Sequence, residues 1–301
     1  MANGGIIGPV NIPTSTTATG VWQQEEQYEA KVTDTWPQRA LFTTKSARFN
    51  QPSSDYLNRT PSSASNRKTF TFSLWFKLSD FSGDLNILSN NGASSTRDYI
   101  SLESGKLRVA SYSGSYVYNL HTNRLFRDTS AWYHLVVAFD TTQGTASNRI
   151  KIYVNGVQET SFGTASYPSQ NLDTNYNNTV LQEISKDYNG VANFFFDGYM
   201  SEIINVDGTQ LAPTSFGVAN SDGVWTPIPY TGTFGTNGFN LQFENAAALG
   251  TDSSPNGNTF TVNNLTSIDQ STDYPVVNYA TMNPLGSGAV TFSEGNLQVT
   301  K

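Results

Sequence analysis

Two histidines, His121 and His134, and no cysteine stand in 301 residues. That inventory excludes disulfides, cysteine-ligated zinc and thiol nucleophiles. A catalytic zinc takes about three protein ligands, and neither histidine has a second at metalloprotease spacing. A nucleophilic serine would announce itself by a Gly-x-Ser-x-Gly elbow, which is missing. His134 therefore reads as a packed, hydrogen-bonded histidine of a strand. Glycoside hydrolysis needs paired carboxylates about 5 Å apart. No string of the type Glu-x-Asp-x-x-Glu sets such a pair on one strand face, and Asp140, Asp197 and Glu202 read as isolated loop or strand-end acids. Loop carboxylates can also hold calcium. Asp140, Asp187, Asp197 and Asp207 are the candidates; their spacing singles out none, and turn-stabilising aspartate is the default. The remaining chemistry is aromatic. Tyr112, Tyr176 and Tyr188 lie in polar, loop-like surroundings where a ring could stack on a sugar, whereas Tyr116 and Tyr118 share a strand face and fill core or edge.

Elements that could position these residues are mostly strands. Trp132 to Phe139 is a short apolar run bounded by polar turns. Ile150, Ile152 and Val154 alternate with Lys151, Tyr153 and Asn155, and Asn155-Gly156 supplies the two positive-φ residues of a type I′ turn. Phe70 to Lys77, Leu102 to Ala110, Tyr116 to Leu120, Val180 to Ile184 and Phe239 to Phe243 add further strand patterns. Residues 161–180, poor in aliphatics, read as a long surface loop. Gly232, Gly235 and Gly238 recur without a strand–turn–helix around them, so they do not cradle phosphate. Thr19 to Lys31 is the one convincing helix, capped by Thr19 and ended by Trp36-Pro37.

The bulk properties agree with β structure: 37% apolar residues, 13% aromatic, 14% charged and 24 glycines. A formal charge of −7 argues against nucleic acid as a partner. No secretory signal pattern is read at the start, and no apolar run approaches the ~18 residues of a membrane span, so no membrane insertion is expected.

Trp132-Tyr133-His134-Leu135-Val136-Val137, Asp140 and Tyr153-Val154-Asn155-Gly156 resemble the laminin G-like branch of the concanavalin A-like lectins. Phe70-Thr71-Phe72-Ser73-Leu74-Trp75 resembles that family's earlier strand, and Phe196-Asp197-Gly198-Tyr199-Met200-Ser201-Glu202-Ile203 its later one, with Ser201 where the family often has Asp. The resemblance implies an all-β, jelly-roll antiparallel sandwich over residues 46–245. It is nearly silent on function, because this fold hosts lectins, hydrolases and adhesins alike.

A second resemblance is to the N-terminal segment of tailed-phage virion proteins, carried by Gly20-Val21-Trp22, Glu26, Tyr28, Ala30 and Trp36-Pro37. It implies that residues 1–45 attach the chain to a particle, with Trp22, Glu26, Tyr28, Trp36 and Pro37 as anchors. Residues 246–301, rich in Ser, Thr and Asn, read as a C-terminal extension. The expectation is a virion structural protein of tail fibre or spike type, assembled in the bacterial host cytoplasm and bound to other virion proteins. Its sandwich would face a host surface glycan, without enzymatic turnover or cofactor. Such a resemblance implies a homo-oligomer, most naturally a trimer. The alternatives are a head fibre or capsid decoration protein and, less favoured, a polysaccharide-active hydrolase.

Overall fold

Strand periodicity decides the architecture, and β3 (Thr69–Leu78) shows how. Phe70, Phe72, Leu74, Phe76 and Leu78 point into one core, while Thr71, Ser73, Trp75 and Lys77 point the other way and are buried as well. A strand buried on both faces must be covered on both. The computed structural model describes residues 43–81, 83–93, 96–188, 193–220, 223–280 and 291–300, together with Glu25. All but Glu25 belong to the compact unit Thr43–Lys301; Met1–Phe42 is a second unit. The expected helix Thr19–Lys31 lies outside the described residues except for Glu25, which is helical. Trp22, Glu26, Tyr28, Trp36 and Pro37 also lie outside them.

Two antiparallel sheets of eight strands face each other across the core. The first runs β10 (Val157–Gln158), β9 (Ile150–Val154), β8 (Tyr133–Asp140), β3, β15 (Gly198–Asp207), β1 (Ser46–Phe49) and β20 (Gln270–Ser271), and β18 (Phe239–Leu241) pairs with the upper half of β15. The second runs β11 (Phe162–Ser166), β7 (Tyr116–Leu125), β6 (Lys106–Ser113), β5 (Thr96–Glu103), β4 (Asp84–Ala93), β12 (Leu181–Ile184), β2 (Tyr56–Arg59) and β19 (Thr261–Asn263). Small two-stranded ribbons form from β13 (Lys186–Tyr188) with β14 (Asn193–Phe195), β16 (Gly217–Ala219) with β17 (Trp225–Pro227), and β21 (Thr291–Ser293) with β22 (Gln298–Thr300).

The alternation expected at Ile150, Ile152 and Val154 holds: all three are core residues. Asn155 and Gly156 have φ of 49° and 80°, as a type I′ turn requires. That turn closes β9 onto the two-residue β10, and β8 reaches β9 through the loop 141–149 instead. Gly156 is also needed for space, since a Cβ there would sit 2.6 Å from the Trp225 ring.

Three expectations change. Residues 161–180 are a surface loop only in part: 162–166 form β11, paired with β7, and within the irregular stretch 167–180 Thr174, Tyr176 and Asn177 are buried. Residues 246–280 are not an appendage, because β19 pairs with β2 and β20 with β1, one in each sheet. Too few apolar residues for a core of their own does not stop Leu249, Phe260 and Leu265 from completing another. Asp252 fastens this segment, accepting from the Asn240 and Ser254 amides at 2.8 Å each and the Asn258 amide at 2.6 Å. Gly235 and Gly238 owe their identity to close backbone approach: a Cβ would fall 2.2 Å from the Asp207 carbonyl oxygen and 1.8 Å from that of Phe234. Glu202, read as a strand-end acid, lies buried within β15 at a bulge, with φ 49°.

The outer face of the first sheet is roofed by residues 208–234 and 273–279. Phe216 and Phe234 pack on Val136, Ile204 and Val206. Lys77 Nζ donates to Asp273 at 2.7 Å, to the Asn278 side chain at 2.9 Å and to the Tyr279 carbonyl at 2.9 Å. Trp132 Nε1 donates to the other Asp273 oxygen at 3.2 Å.

Candidate functional site

With that face closed, the second sheet supplies the face left open among the described residues. Along β5 the side chains at 98, 100 and 102 turn inward, so Arg97, Tyr99, Ser101 and Glu103 project outward together. Arg108 joins them from β6, Tyr116 from β7, and Asp84 and Asn86 from β4. The β13–β14 ribbon forms a side wall with Asp187 and Phe194, tied down where Asn86 Nδ2 and Ser89 Oγ each donate to the Lys186 carbonyl at 2.7 Å. Together they bound a groove of about 180 Å³.

Its polar groups are cross-braced. Arg97 Nε lies 3.1 Å from Asp187 Oδ2, and Arg108 NH1 lies 2.7 Å from Glu103 Oε2. Arg108 NH1 also donates to the Tyr116 hydroxyl at 2.9 Å, and the Tyr99 hydroxyl donates to the same oxygen at 3.4 Å. Each guanidinium covers aromatic faces: Arg97 stands 5.0 Å from the Tyr99 centroid and 5.7 Å from that of Tyr112, and Arg108 stands 5.6 Å from that of Tyr116. Desolvation raises the Glu103 carboxyl, with Asp84 adding to it and Arg108 opposing. Burial followed by contact with Tyr116 raises the Tyr99 phenol. Desolvation, then Arg108 and Lys106, lowers His121, whose Nδ1 is 3.4 Å from Arg108 NH2. An arrangement of hydroxyls, guanidinium forks and rings suits recognition of polyhydroxylated rings through hydrogen bonds and stacking.

The expected tyrosines scatter. Tyr112 is half-buried beside the groove, its ring edge-on to Tyr116 at 5.5 Å. Tyr176 is a correction: it is fully buried, packed among Phe70, Phe72 and Phe139, and offers no face to a sugar. The side chain of Tyr188 lies outside the described residues. Tyr116 and Tyr118 do not share a face. A register shift between Ser111 and Tyr112 opposite them inserts Val117, so Tyr118 is core and Tyr116 is 45% exposed. Sequence reasoning missed Arg97, Tyr99, Glu103 and Arg108, although the polar alternation 97, 99, 101, 103 against the apolar Ile100 and Leu102 carried the signal.

Of the four aspartates considered for calcium, three are separately engaged by other side chains or amides. Asp140 accepts from Thr142 Oγ1 and Gln143 Nε2 at 2.6 Å each, Asp187 meets Arg97, and Asp207 accepts the amides of Asn66 at 3.1 Å and Asn237 at 2.9 Å. Burial raises the Asp197 carboxyl. Among the described residues no three His, Asp or Glu side chains gather as a metal would need.

His134 is fully buried on the roofed face. Trp75 stacks on one face at 4.7 Å, and Trp225 lies alongside, its ring centroid 6.1 Å away. Trp225 Nε1 donates to His134 Nδ1 at 2.9 Å, so the ring proton sits on Nε2, 2.8 Å from Ser73 Oγ. Desolvation lowers this imidazole to about 3. A ring held neutral and closed off from solvent fastens the β16–β17 ribbon to the sheet.

A sequence model described as the concanavalin A-like lectin/glucanases superfamily matches residues 51–207. No curated protein matches the chain by sequence. Among solved structures, the chain is similar to a native heptameric SAP-like pentraxin from Limulus polyphemus, at 15% identity and TM-score 0.41, over 56% of this chain and 78% of that one. It is similar also to domain 4 of an extracellular arabinanase from Geobacillus stearothermophilus in complex with arabinotriose, at 18% identity and TM-score 0.41, over 56% and 73%. Domains LG4-5 of the mouse laminin alpha1 chain are similar at 12% identity and TM-score 0.37, over 62% and 45%.

Proposed function

The chain belongs to the concanavalin A-like lectin/glucanases superfamily, and from that premise we propose that it is a glycan-binding structural protein of a tailed-phage virion, of tail fibre or spike type. The observation that carries the binding reading is the contrast between the two sheets. Residues of the roof bury the outer face of one, while the other keeps a groove of arginines, tyrosines and acids open to solvent. Adhesion, not turnover, is the favoured chemistry. Of the three groove carboxylates, Glu103 and Asp187 are each bound to an arginine, which leaves Asp84 alone outside these pairs. A glycosidase needs two, one kept protonated and the other available to the sugar.

The virion reading rests on the N-terminal resemblance around Trp22, Glu26, Tyr28, Trp36 and Pro37. The division into units Met1–Phe42 and Thr43–Lys301 is compatible with a separate attachment segment. Trp and Tyr are the residue types that dominate interfaces, and truncating such an anchor costs about 2 kcal/mol or more. On this reading the protein is a trimer, joined to other virion proteins and presenting its groove to host surface glycans.

One comparison tests both halves. Particles are assembled with the native chain, with Trp22→Ala/Trp36→Ala, and with Arg108→Ala/Tyr116→Ala, then labelled with antibody for electron microscopy and assayed for adsorption to host cells. The proposal expects label on the tail, loss of label with the tryptophan pair at an unchanged melting temperature, and normal label but reduced adsorption with the groove pair. Label on the head would assign the alternative of a head fibre or decoration protein. Unchanged adsorption with the groove pair, or release of sugar from host polysaccharide that a carboxylate substitution abolishes, would refute the adhesion reading.

A further inference from the structure

The charges of the groove select among sugars. Three carboxylates, Asp84, Glu103 and Asp187, line it against two guanidinium groups, Arg97 and Arg108. Both arginines are committed, each to a carboxylate and to at least one aromatic ring. Redirecting Arg97 to a ligand carboxylate would forfeit its ion pair with the Asp187 side chain, only 5% exposed. Stripping one partner from a buried pair is strongly unfavourable. Arg108 is held, in a half-buried setting, by Glu103 and by the Tyr116 hydroxyl. A sugar hydroxyl makes no such demand. It can donate to remaining carboxylate lone pairs and accept from remaining guanidinium N–H groups while both ion pairs persist. The formal charge of the whole chain, −7, adds a long-range repulsion against anionic chains.

Size narrows the choice further. Pockets for drug-sized ligands run to roughly 300–1,000 Å³, and this groove holds about 180 Å³. That admits one ring, with Tyr116, 45% exposed, as the outward aromatic surface beside it. From these observations we propose that the groove recognises a single neutral sugar ring, with its hydroxyls bridging the Arg97–Asp187 and Arg108–Glu103 pairs, and discriminates against carboxylate-bearing sugars. This rests on the glycan-binding reading above and deepens it.

Matched probes separate the two ideas. Methyl glucoside and methyl galactoside are titrated against methyl glucuronide and methyl galacturonide, which differ by one carboxylate, with binding followed by ligand-observed NMR and calorimetry. In low salt, at least one neutral glycoside should bind about tenfold more tightly than its uronide, and added salt should narrow the gap by screening. Tyr116→Ala, at a rim position, should abolish binding without changing the far-ultraviolet circular dichroism. Glu103→Gln should improve the uronide relative to the neutral partner. A uronide that binds as well as or better than its glycoside overturns the selectivity while sparing glycan binding. Saturable binding of neither neutral glycoside overturns both.

Discussion

The buried His134 makes a quantitative prediction about acid stability. Its folded-state value of about 3 lies below the ~6.5 of an unfolded histidine. The folded protein therefore refuses a proton that the unfolded chain accepts. The associated stability is fully present above pH ~6.5 and is lost progressively as pH falls towards the folded value. At pH 5 the unfolded chain has gained about 1.5 units of titration, which at 1.36 kcal/mol per unit is about 2 kcal/mol. Other buried groups work in the opposite direction. Burial raises Asp55 and Asp98 to about 6 each, so their folded forms bind protons more readily and gain stability as pH falls from there. The native pH profile alone would blend these contributions. His134→Gln removes one of them and leaves the rest in place. Urea melts of native and variant protein at pH 7.5 and pH 5 then give a double difference. The variant should be less stable at pH 7.5, having lost the stack on Trp75 and the hydrogen bond from Trp225. Between the two pH values it should lose about 2 kcal/mol less than the native protein does. Equal losses would mean that His134 titrates as an ordinary histidine, and the buried, neutral, Nε2-protonated ring would be refuted.

Glu202 gives the converse. Burial, offset only in part by the nearby Gln242 and Thr43 side chains, raises it to about 8. Its folded form holds a proton that the unfolded chain releases above ~4.5, so stability falls as pH rises from there to about 8. Glu202→Gln should flatten this slope and, by pH 7, recover on the order of 3 kcal/mol relative to the native profile; parallel profiles in thermal melts would contradict it. Lys77→Met should cost about 3–5 kcal/mol in denaturant melts, because Asp273 is left buried without its cation. A loss below about 1 kcal/mol would mean that the strap at 273–279 does not depend on that pair.

Much of the sandwich was legible in one dimension because strand burial imposes a period of two. Phe70, Phe72, Leu74 and Phe76 on β3, and Ile150, Ile152 and Val154 on β9, declare their faces by alternation alone. Asn155-Gly156 declares its turn by tolerance of positive φ. These are local facts, decided by residues within a few positions of one another. Tyr176 reads as a loop residue because its neighbours in the chain are polar, whereas its neighbours in space are Phe70, Phe72 and Phe139, all more than 30 positions earlier. Residues 246–280 looked too poor in apolar side chains to fold; only pairing with β2 and β1 supplies the rest of their core. The fastening of His134 by Trp225 joins positions 91 apart. The groove is the clearest case. Four strands of one sheet and a ribbon contribute one to four residues each, and none of those contributions is a motif by itself. Chain order could show that Arg97, Tyr99, Ser101 and Glu103 share a side. That Arg108, Tyr116 and Asp187 meet them there, on the sheet whose outer face the described residues leave open, is decided by strand register and by where the rest of the chain packs.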